Sequence, residues 1–482
     1  MTVGRFRFIV CSDFVDKGLL RVVEYETLAT LQYAAVSYPW DGLKNHDSPE
    51  AFFWLPLDGQ ISDPISLAVL RTACLAARQF DAGLLWIDQI CINQTSKQDK
   101  DWQISQMFDL YDRCKVSLVL PGGLQRLAAH DERTNWIERS WTLQEAMPKC
   151  TYTIFAWKLG SGEVDGLTSG CIHEIEKGQS AMMDLGKLLQ ASYVGFSLWN
   201  TQLEHVHFNM FGPDRDPILA LMAAKEASVP EMRDMAVWRS ALLRTCSHPR
   251  DMILSIMGIF GVTLNVGRYG KDDRDRAAVD LAFEILRNGR GASWLGAAPG
   301  CGHLPSMCTM PAFPVVDGRE VYYSVAGHKR KPWDVMGSEL DWYVKPTANA
   351  SMEERGAGLL HLTAKTLLVE LADLESQPDA FWSGFSFTTT MILDEGPEKG
   401  KGVVIDLSTS IAKGGYRVLE LGLVKHFCLP ATSARAQKGA ALLMILAPNS
   451  SMERWQNVAY GTIKDVEDVT KHWPTCFHVI GF

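Results

Sequence analysis

No stretch of this chain comes near the ~20 consecutive apolar residues that a helix needs to cross a bilayer. The opening MTVGRFRFIVCSDF holds only the run 6–10, interrupted by Arg7 and ending at Ser12-Asp13, far short of a signal-peptide core. Neither a membrane span nor a secretory leader is expected. Basic charge is scarce too: 47 Lys and Arg stand against 56 Asp and Glu, for a net charge of -9. Such a surface repels phosphate backbones unless its cations gather on one face, and the longest basic run is only His328-Lys329-Arg330-Lys331. A nucleic-acid partner is therefore not expected; the basic run leaves nuclear import open beside a cytoplasmic location. The 11 cysteines are odd in number, scattered from Cys11 to Cys476, and never form C-x-x-C, which reads as reduced intracellular thiols. P-loop, G-x-G-x-x-G, H-E-x-x-H and G-x-S-x-G patterns are all missing, so kinase, simple dinucleotide-binding and α/β-hydrolase readings lose support. Two metal-like groupings, Glu204-His205-x-His207 and Cys301-x-His303-x4-Cys308, do not supply four ligands at a familiar spacing. No metal and no resident cofactor are expected.

What is present is an ordinary globular composition, 47% apolar and 21% charged, over 482 residues, long enough for two or three domains. Residues 33–38, YAAVSY, read as a buried strand. After the breaker Pro64, residues 65–79 place Leu67, Leu70, Cys74 and Ala77 along one helical stripe. LLWID at 84–88 reads as a second strand, Ile104, Met107, Phe108 and Tyr111 as the inner face of a second helix, and VSLVL at 116–120 as a third strand ending at Pro121-Gly122-Gly123. This alternation predicts an α/β domain over 1–160 with a parallel sheet and crossover helices. The pattern is then mostly helical over 161–300. Beyond a Gly/Pro-rich junction near 289–314, LLHLTAKTLLVEL, GYRVLELGLV, ALLMILA, WQNVAYGTI and TCFHVIGF predict a β-rich region over 301–482.

Chemistry concentrates in three segments: YAAVSYPWDG at 33–42, LLWIDQICINQTSKQDKDWQISQMFDLYDRC at 84–114, and RSWTLQEA at 139–146. In an open α/β sheet the ligand crevice lies beyond the carboxyl ends of the strands, where the loops carrying Ser37 and Trp40, and Asp88, Asn93 and Gln94, should face it. Thr142 and Glu145 have the spacing of a capping box, in which Thr142 accepts from the N–H of 145 and Glu145 reaches back to that of 142. The start of that helix, with Arg139 one turn away, would also suit a pyrophosphate. The same Glu145 carboxylate could instead stabilise positive charge on a substrate. Each candidate has a structural alternative: Asp88 as a cap or loop bridge, Trp40 and Trp86 as wall or core, Asn93 and Gln94 as loop braces, and Cys91 as a buried inert thiol.

The three segments resemble, in order and spacing, the blocks of the fungal heterokaryon-incompatibility (HET) domain, whose usual forms are close to S-Y-x-W-G, W-I-D-x-x-C-I-N-Q and R-x-W-T-x-Q-E. The resemblance covers roughly residues 33–150. LLRTCSHPRDMILSIMGIFGV and SWLGAAP resemble the segments that commonly follow it. One departure stands in the first block, where Trp40-Asp41-Gly42 replaces Trp followed directly by Gly, so no family role is transferred to Asp41.

The resemblance implies a TIR-like (flavodoxin-like) α/β fold and a cell-death role, akin to innate immunity, after non-self recognition between fungal individuals. Many TIR domains cleave NAD at the nicotinamide-ribose bond with a Glu in a W-x-x-x-E element, which Trp141 to Glu145 match by spacing. It thus implies Glu145 as catalytic residue, Ser37, Trp40, Asp88, Asn93, Gln94, Arg139 and Trp141 as ligand-binding residues, and NAD or a related nucleotide as substrate rather than cofactor. Its partners would be further copies through the HET domain and an upstream recognition protein. Two alternatives remain: a non-enzymatic module acting by self-association, and a HET-like fold recruited as a small-molecule enzyme in fungal secondary metabolism.

Overall fold

The structure is a computed structural model and describes residues 1–44, 52–57, 60–61, 63–158, 172–194, 198–199, 205–298, 301, 303–304, 307–318, 320–325, 327–336, 342–352, 359–369, 372–373, 388–392, 402–406, 416–426, 440–449, 454–464 and 475–480. The chain forms two compact units, one of residues 1–225 with 244–270, the other of 226–243 with 271–482. Glu204, one of the residues in the first metal-like grouping, lies outside the described residues.

The first unit is built on β1 (Phe6–Val10), α1 (Cys11–Lys17), β2 (Val22–Tyr25), β3 (Tyr33–Ser37), α2 (Leu67–Gln79), β4 (Leu84–Trp86), α3 (Asp88–Cys91), α4 (Lys97–Asp112), β5 (Val116–Val119), α5 (Thr142–Glu145), β6 (Thr151–Ala156), β7 (Ile172–Glu176), β8 (Ser180–Asp184), α6 (Leu185–Val194) and α7 (Arg215–Glu226). Its eight strands lie in the order β7-β8-β6-β5-β3-β4-β1-β2. The centre, β6-β5-β3-β4, is parallel. Antiparallel pairs extend both edges, so the sheet is mixed rather than parallel throughout. Residues 172–184, expected to be helical, supply one of those edge hairpins, closed by a turn in which Gly178 takes φ +67°.

The parallel centre follows from the sequence. All five residues of β3 are buried, and only a strand covered on both faces can carry so continuous an apolar run. Ser66 caps α2, its Oγ accepting from the Val69 N–H at 3.3 Å, and Ser96 caps α4 through the Asp99 N–H at 3.3 Å. The buried face of α2 is broader than one stripe, comprising Val69, Leu70, Thr72, Ala73, Cys74, Ala76 and Ala77. Leu67 sits on its first turn and is exposed. On α4, Met107 and Tyr111 are buried as expected, whereas Ile104 and Phe108 are half-buried. The connection runs one way along the sheet from β3 to β4 and the other way from β4 to β5, so the right-handed rule for such crossovers assigns α2 and α4 to opposite faces.

Arg7, the interruption in the first apolar run, is fully buried. Its guanidinium makes a two-pronged pair with Asp99, Nη1 to Oδ2 at 2.8 Å and Nη2 to Oδ1 at 2.9 Å, and also donates to Glu24 and to the Cys91 carbonyl. Asp99 in turn accepts from the Asn93 N–H at 2.9 Å. One buried ion pair therefore ties β1 to the start of α4 and to the loop after β4.

In the second unit, strands Leu360–Val369, Tyr416–His426, Ala440–Asn449, Arg454–Lys464 and Thr475–Ile480 pair in chain order, and the last pairs back to the first. A closed ring needs an even number of antiparallel pairings. With five strands one pairing must be parallel, and it is that of Arg454–Lys464 with Thr475–Ile480. Bulges between Glu420 and Gly422 and between Ile445 and Leu446 supply curvature. The five segments expected to be strands in this region are these five.

Removing one partner of a buried ion pair strands the other charge, at a cost of ~3–5 kcal/mol. Asp99→Asn should lower urea-unfolding stability by about that much, and Arg7→Met with Asp99→Leu should recover part of it. Strictly additive losses would show that the two residues do not act as a pair.

Candidate active site

Ser37 closes β3 and is fully buried. Its Oγ donates to Glu145 Oε2 at 2.6 Å and accepts from Trp136 Nε1 at 2.8 Å. Because the indole can only donate, the serine proton is directed onto the carboxylate. The α5 turn bearing Glu145 is held from below: Ser117 Oγ, on β5, donates to the Glu145 carbonyl at 2.8 Å, and Lys225 Nζ reaches the Ala146 carbonyl at 2.8 Å. Glu145 is thus fixed at both ends of its residue, backbone and carboxyl, by the central strands.

The capping box expected of Thr142 and Glu145 does not form. Trp141, the residue before α5, already has helical angles (φ -64°, ψ -34°), so Thr142 lies inside the turn and not at its extended entry. The Thr142 Oγ1 proton is shared by the carbonyls of Trp136 at 2.7 Å and Arg139 at 2.8 Å, and the oxygen accepts from Arg244 Nη1 at 2.8 Å. Glu145 turns instead to Ser37. At four residues α5 is also too short to serve as the anion-binding helix start that its sequence suggested.

Beside Glu145 lies a cavity of about 490 Å³. It opens beyond the carboxyl ends of β3 and β4, walled by Tyr38, Asp88, α4, the 139–145 turn and residues 245–251. Asp88 accepts from Tyr38 Oη, from Trp40 Nε1 at 2.7 Å and from the Gln89 N–H at 2.6 Å. Trp40 is 44% exposed, so that bond holds a solvent-facing indole in a fixed orientation at the rim. Arg139 is turned into the cavity by Asp41, which accepts from its Nη1 at 3.3 Å and from Asn135 Nδ2 at 3.1 Å. The Trp40-Asp41-Gly42 turn needs glycine at its end: a Cβ on Gly42 would stand 2.4 Å from the Gly122 carbonyl oxygen. Asp41 therefore has a positioning role of its own in the longer turn.

Of the residues singled out in the sequence, Trp40, Asp88, Gln94, Arg139, Trp141 and Glu145 line this one cavity. Ser37 lies behind Glu145. Asn93 is not on the wall; its Oδ1 accepts from Thr95 N at 3.1 Å and Oγ1 at 2.8 Å, bracing the loop. Gln94 does both, lining the cavity and donating to the Asp88 carbonyl at 3.2 Å. Trp86 is core, packed edge-on against Tyr111 at 5.7 Å, and Cys91 is a fully buried thiol. Sequence reasoning missed Tyr38, Arg244 and Asp251. Arg244, 1% exposed, donates to the Arg139 carbonyl at 2.8 Å as well as to Thr142, while Asp251 accepts from Trp141 Nε1 at 3.3 Å. Their only signal was the segment RTCSHPRD, whose mix of charge and small residues is unlike the helices around it.

Burial pushes the Glu145 carboxyl up to about 8, with the nearby Asp88 charge adding to the rise; the Ser37 hydrogen bond and the Arg139 and Arg244 charges oppose it. Burial likewise raises Asp88 and Asp251 above the usual carboxylate range. Glu145 is therefore protonated at neutral pH. The folded carboxyl keeps its proton up to about 8, whereas the unfolded one loses it near 4.5. Stability present below that lower value is lost as pH rises through the window, reaching ~3 kcal/mol by pH 7. Glu145→Gln keeps the acceptor for Ser37 and removes the titration, so its melting temperature relative to wild type should climb between pH 5 and 8. A pH-independent difference would refute the assignment of this buried acid.

Residues 33–127 match the family described as "Heterokaryon incompatibility protein (HET)". The chain is also similar to "Heterokaryon incompatibility protein 6, OR allele" of Neurospora crassa, 36% identical over 98 residues, 19% of this chain and 14% of that protein. The match thus spans about one-seventh of the curated relative's length. No solved structure matches the chain. The matched residues include β3, β4, α4 and β5, with Tyr38, Trp40, Asp88 and Gln94 on the cavity wall; Glu145 and Arg244 lie beyond them. Three strands of the parallel centre of the first unit, β3, β4 and β5, thus lie in a HET domain match over residues 33–127.

Proposed function

We propose that the protein is an effector of fungal heterokaryon incompatibility whose TIR-like first unit cleaves the N-glycosidic bond of NAD or a related nucleotide, with Glu145 as the catalytic carboxylate. The observation that carries this reading is the placement of Glu145: a buried carboxyl, aimed by Ser37, opening on a cavity at the carboxyl ends of parallel strands. The strand order, with β3 flanked by β4 on one side and β5 on the other, is the doubly wound arrangement that binds ligands at that end. The incompatibility role is supported by the family match and by the Neurospora relative.

Breaking a ribose-to-base bond develops oxocarbenium character on the sugar, which an ionised Glu145 would stabilise. A pyridinium base such as nicotinamide leaves as a neutral molecule and needs no proton; water then adds to the anomeric carbon and releases one. The positive charge of such a substrate would itself favour loss of the Glu145 proton. For a cationic base kcat/KM should therefore rise with pH towards a plateau above about 8. A neutral base needs a proton to leave, and the profile would fall instead.

Purified full-length protein, free and clustered through a fused oligomerisation domain, should convert NAD to nicotinamide and ADP-ribose. Glu145→Gln should lower turnover by at least about 10³-fold while folding normally. Equal turnover by the folded variant would remove Glu145 from the chemistry. Cell killing by both forms without turnover would move the function to self-association.

A further inference from the structure

The proposed reaction leaves one wall of the cavity unused. Along α4 the residues facing it are Lys97, Lys100, Asp101, Ile104, Met107 and Tyr111, spaced so that one helical stripe grades from charged to largely apolar. Arg139 and Arg250, the other two permanent cations on the wall, are already matched, by Asp41 at 3.3 Å and Asp251 at 3.7 Å. Lys97 and Lys100 are not: among the described residues neither side chain makes an ion pair or hydrogen bond. Lys97 stands four positions before Asp101, a spacing at which a helical ion pair is available, yet none forms. The carboxylates elsewhere on the wall have other duties. Asp88 is saturated by Tyr38, Trp40 and the Gln89 N–H, Asp251 is engaged by Arg250 and Trp141, and Glu145 is bonded to Ser37. Two unneutralised ammonium groups therefore border a cavity large enough for a nucleotide, which also has a fixed indole at its rim.

Resting on the nucleotide reading above, we infer that Lys97 and Lys100 form a phosphate-binding subsite, so that the ligand is a phosphate-bearing nucleotide held by its phosphates on the first turn of α4. This places the anion away from α5, where the sequence had put it. Lysine suits the task as a compact charge with three donors on a long stem, able to follow a phosphate group without a fixed fork geometry.

The test measures binding alone, in full-length protein carrying Glu145→Gln so that no turnover intervenes, with ADP, adenosine and inorganic pyrophosphate as probes in calorimetry. ADP should bind at least about tenfold more tightly than adenosine, weaken with added salt, and be displaced by pyrophosphate. Lys97→Gln with Lys100→Gln should bring ADP down to the adenosine level and leave adenosine unchanged; both side chains lack polar partners, so the fold should be kept, as near-ultraviolet circular dichroism would report. Equal affinity for ADP and adenosine, no binding of either, or undiminished ADP affinity in the double variant would each overturn the subsite. An ADP preference lost on lysine substitution, in a protein that never cleaves NAD, would uphold the subsite and reject the glycosidic reaction.

Discussion

The first unit depends on one bond, that between Ser37 Oγ and Glu145 Oε2. It joins the end of the central strand to the carboxyl end of a single-turn helix, which four residues could not maintain on their own and which Ser117, Lys225 and Arg244 hold along its backbone and first turn. Burial of the carboxyl that accepts this bond sets the energetics. Keeping that carboxyl protonated at neutral pH costs ~3 kcal/mol, a sizeable part of the 5–15 kcal/mol by which domains of this kind are stable. The neighbours that reduce the cost, Ser37, Arg139 and Arg244, are the groups that set the geometry of the cavity wall. Stability and site geometry thus draw on the same side chains. A solvent-facing glutamate at this position would give a steadier fold and a weaker electrostatic effect on any substrate.

A second constraint acts around it. Arg7 and Asp99 bury a full ion pair beneath the loop after β4, and Asn93 braces the same loop through Thr95. The loop carrying Asp88 and Gln94 is consequently fixed from two sides, and Asp88 in turn fixes Trp40. Preorganisation spreads outward in this way from the sheet to the rim, each polar group spending its hydrogen bonds on the next. Polar groups with no bond of their own to spend, such as Lys97 and Lys100, stand out against that background.

Much of this was legible in the sequence. The continuous apolar run of β3, the breaker before α2 and the cluster of turn residues at 121–123 gave the alternating strand-helix order, and six of eight candidate site residues fell on one cavity. The failures have definite causes. Thr-x-x-Glu spacing is shared by capping boxes and by single turns stapled from outside, and only the helical angles of Trp141 separate the two. The edge hairpin at 172–184 consists of two five-residue strands, too short for a period of two to outweigh the helical segments around it. Arg244 and Asp251 come from a stretch more than 90 residues past Glu145, and no local pattern in a sequence records which distant turn a guanidinium will reach.

The separation along the chain carries its own lesson about the HET match. Residues 33–127 supply three of the four parallel strands, the α4 wall and the Asp88 loop, which form a scaffold with a cleft but without its buried acid. Glu145 arrives with α5, and the cation that steadies the α5 entrance arrives with residue 244, after the chain has passed through part of the second unit. A fragment cut at the end of the matched region would keep much of the apolar core and lose both members of that pair. What can be recognised by sequence and what completes the chemistry are therefore different parts of one folded unit, and a functional claim has to rest on residues 139–145 and 244–251 as much as on the recognisable blocks.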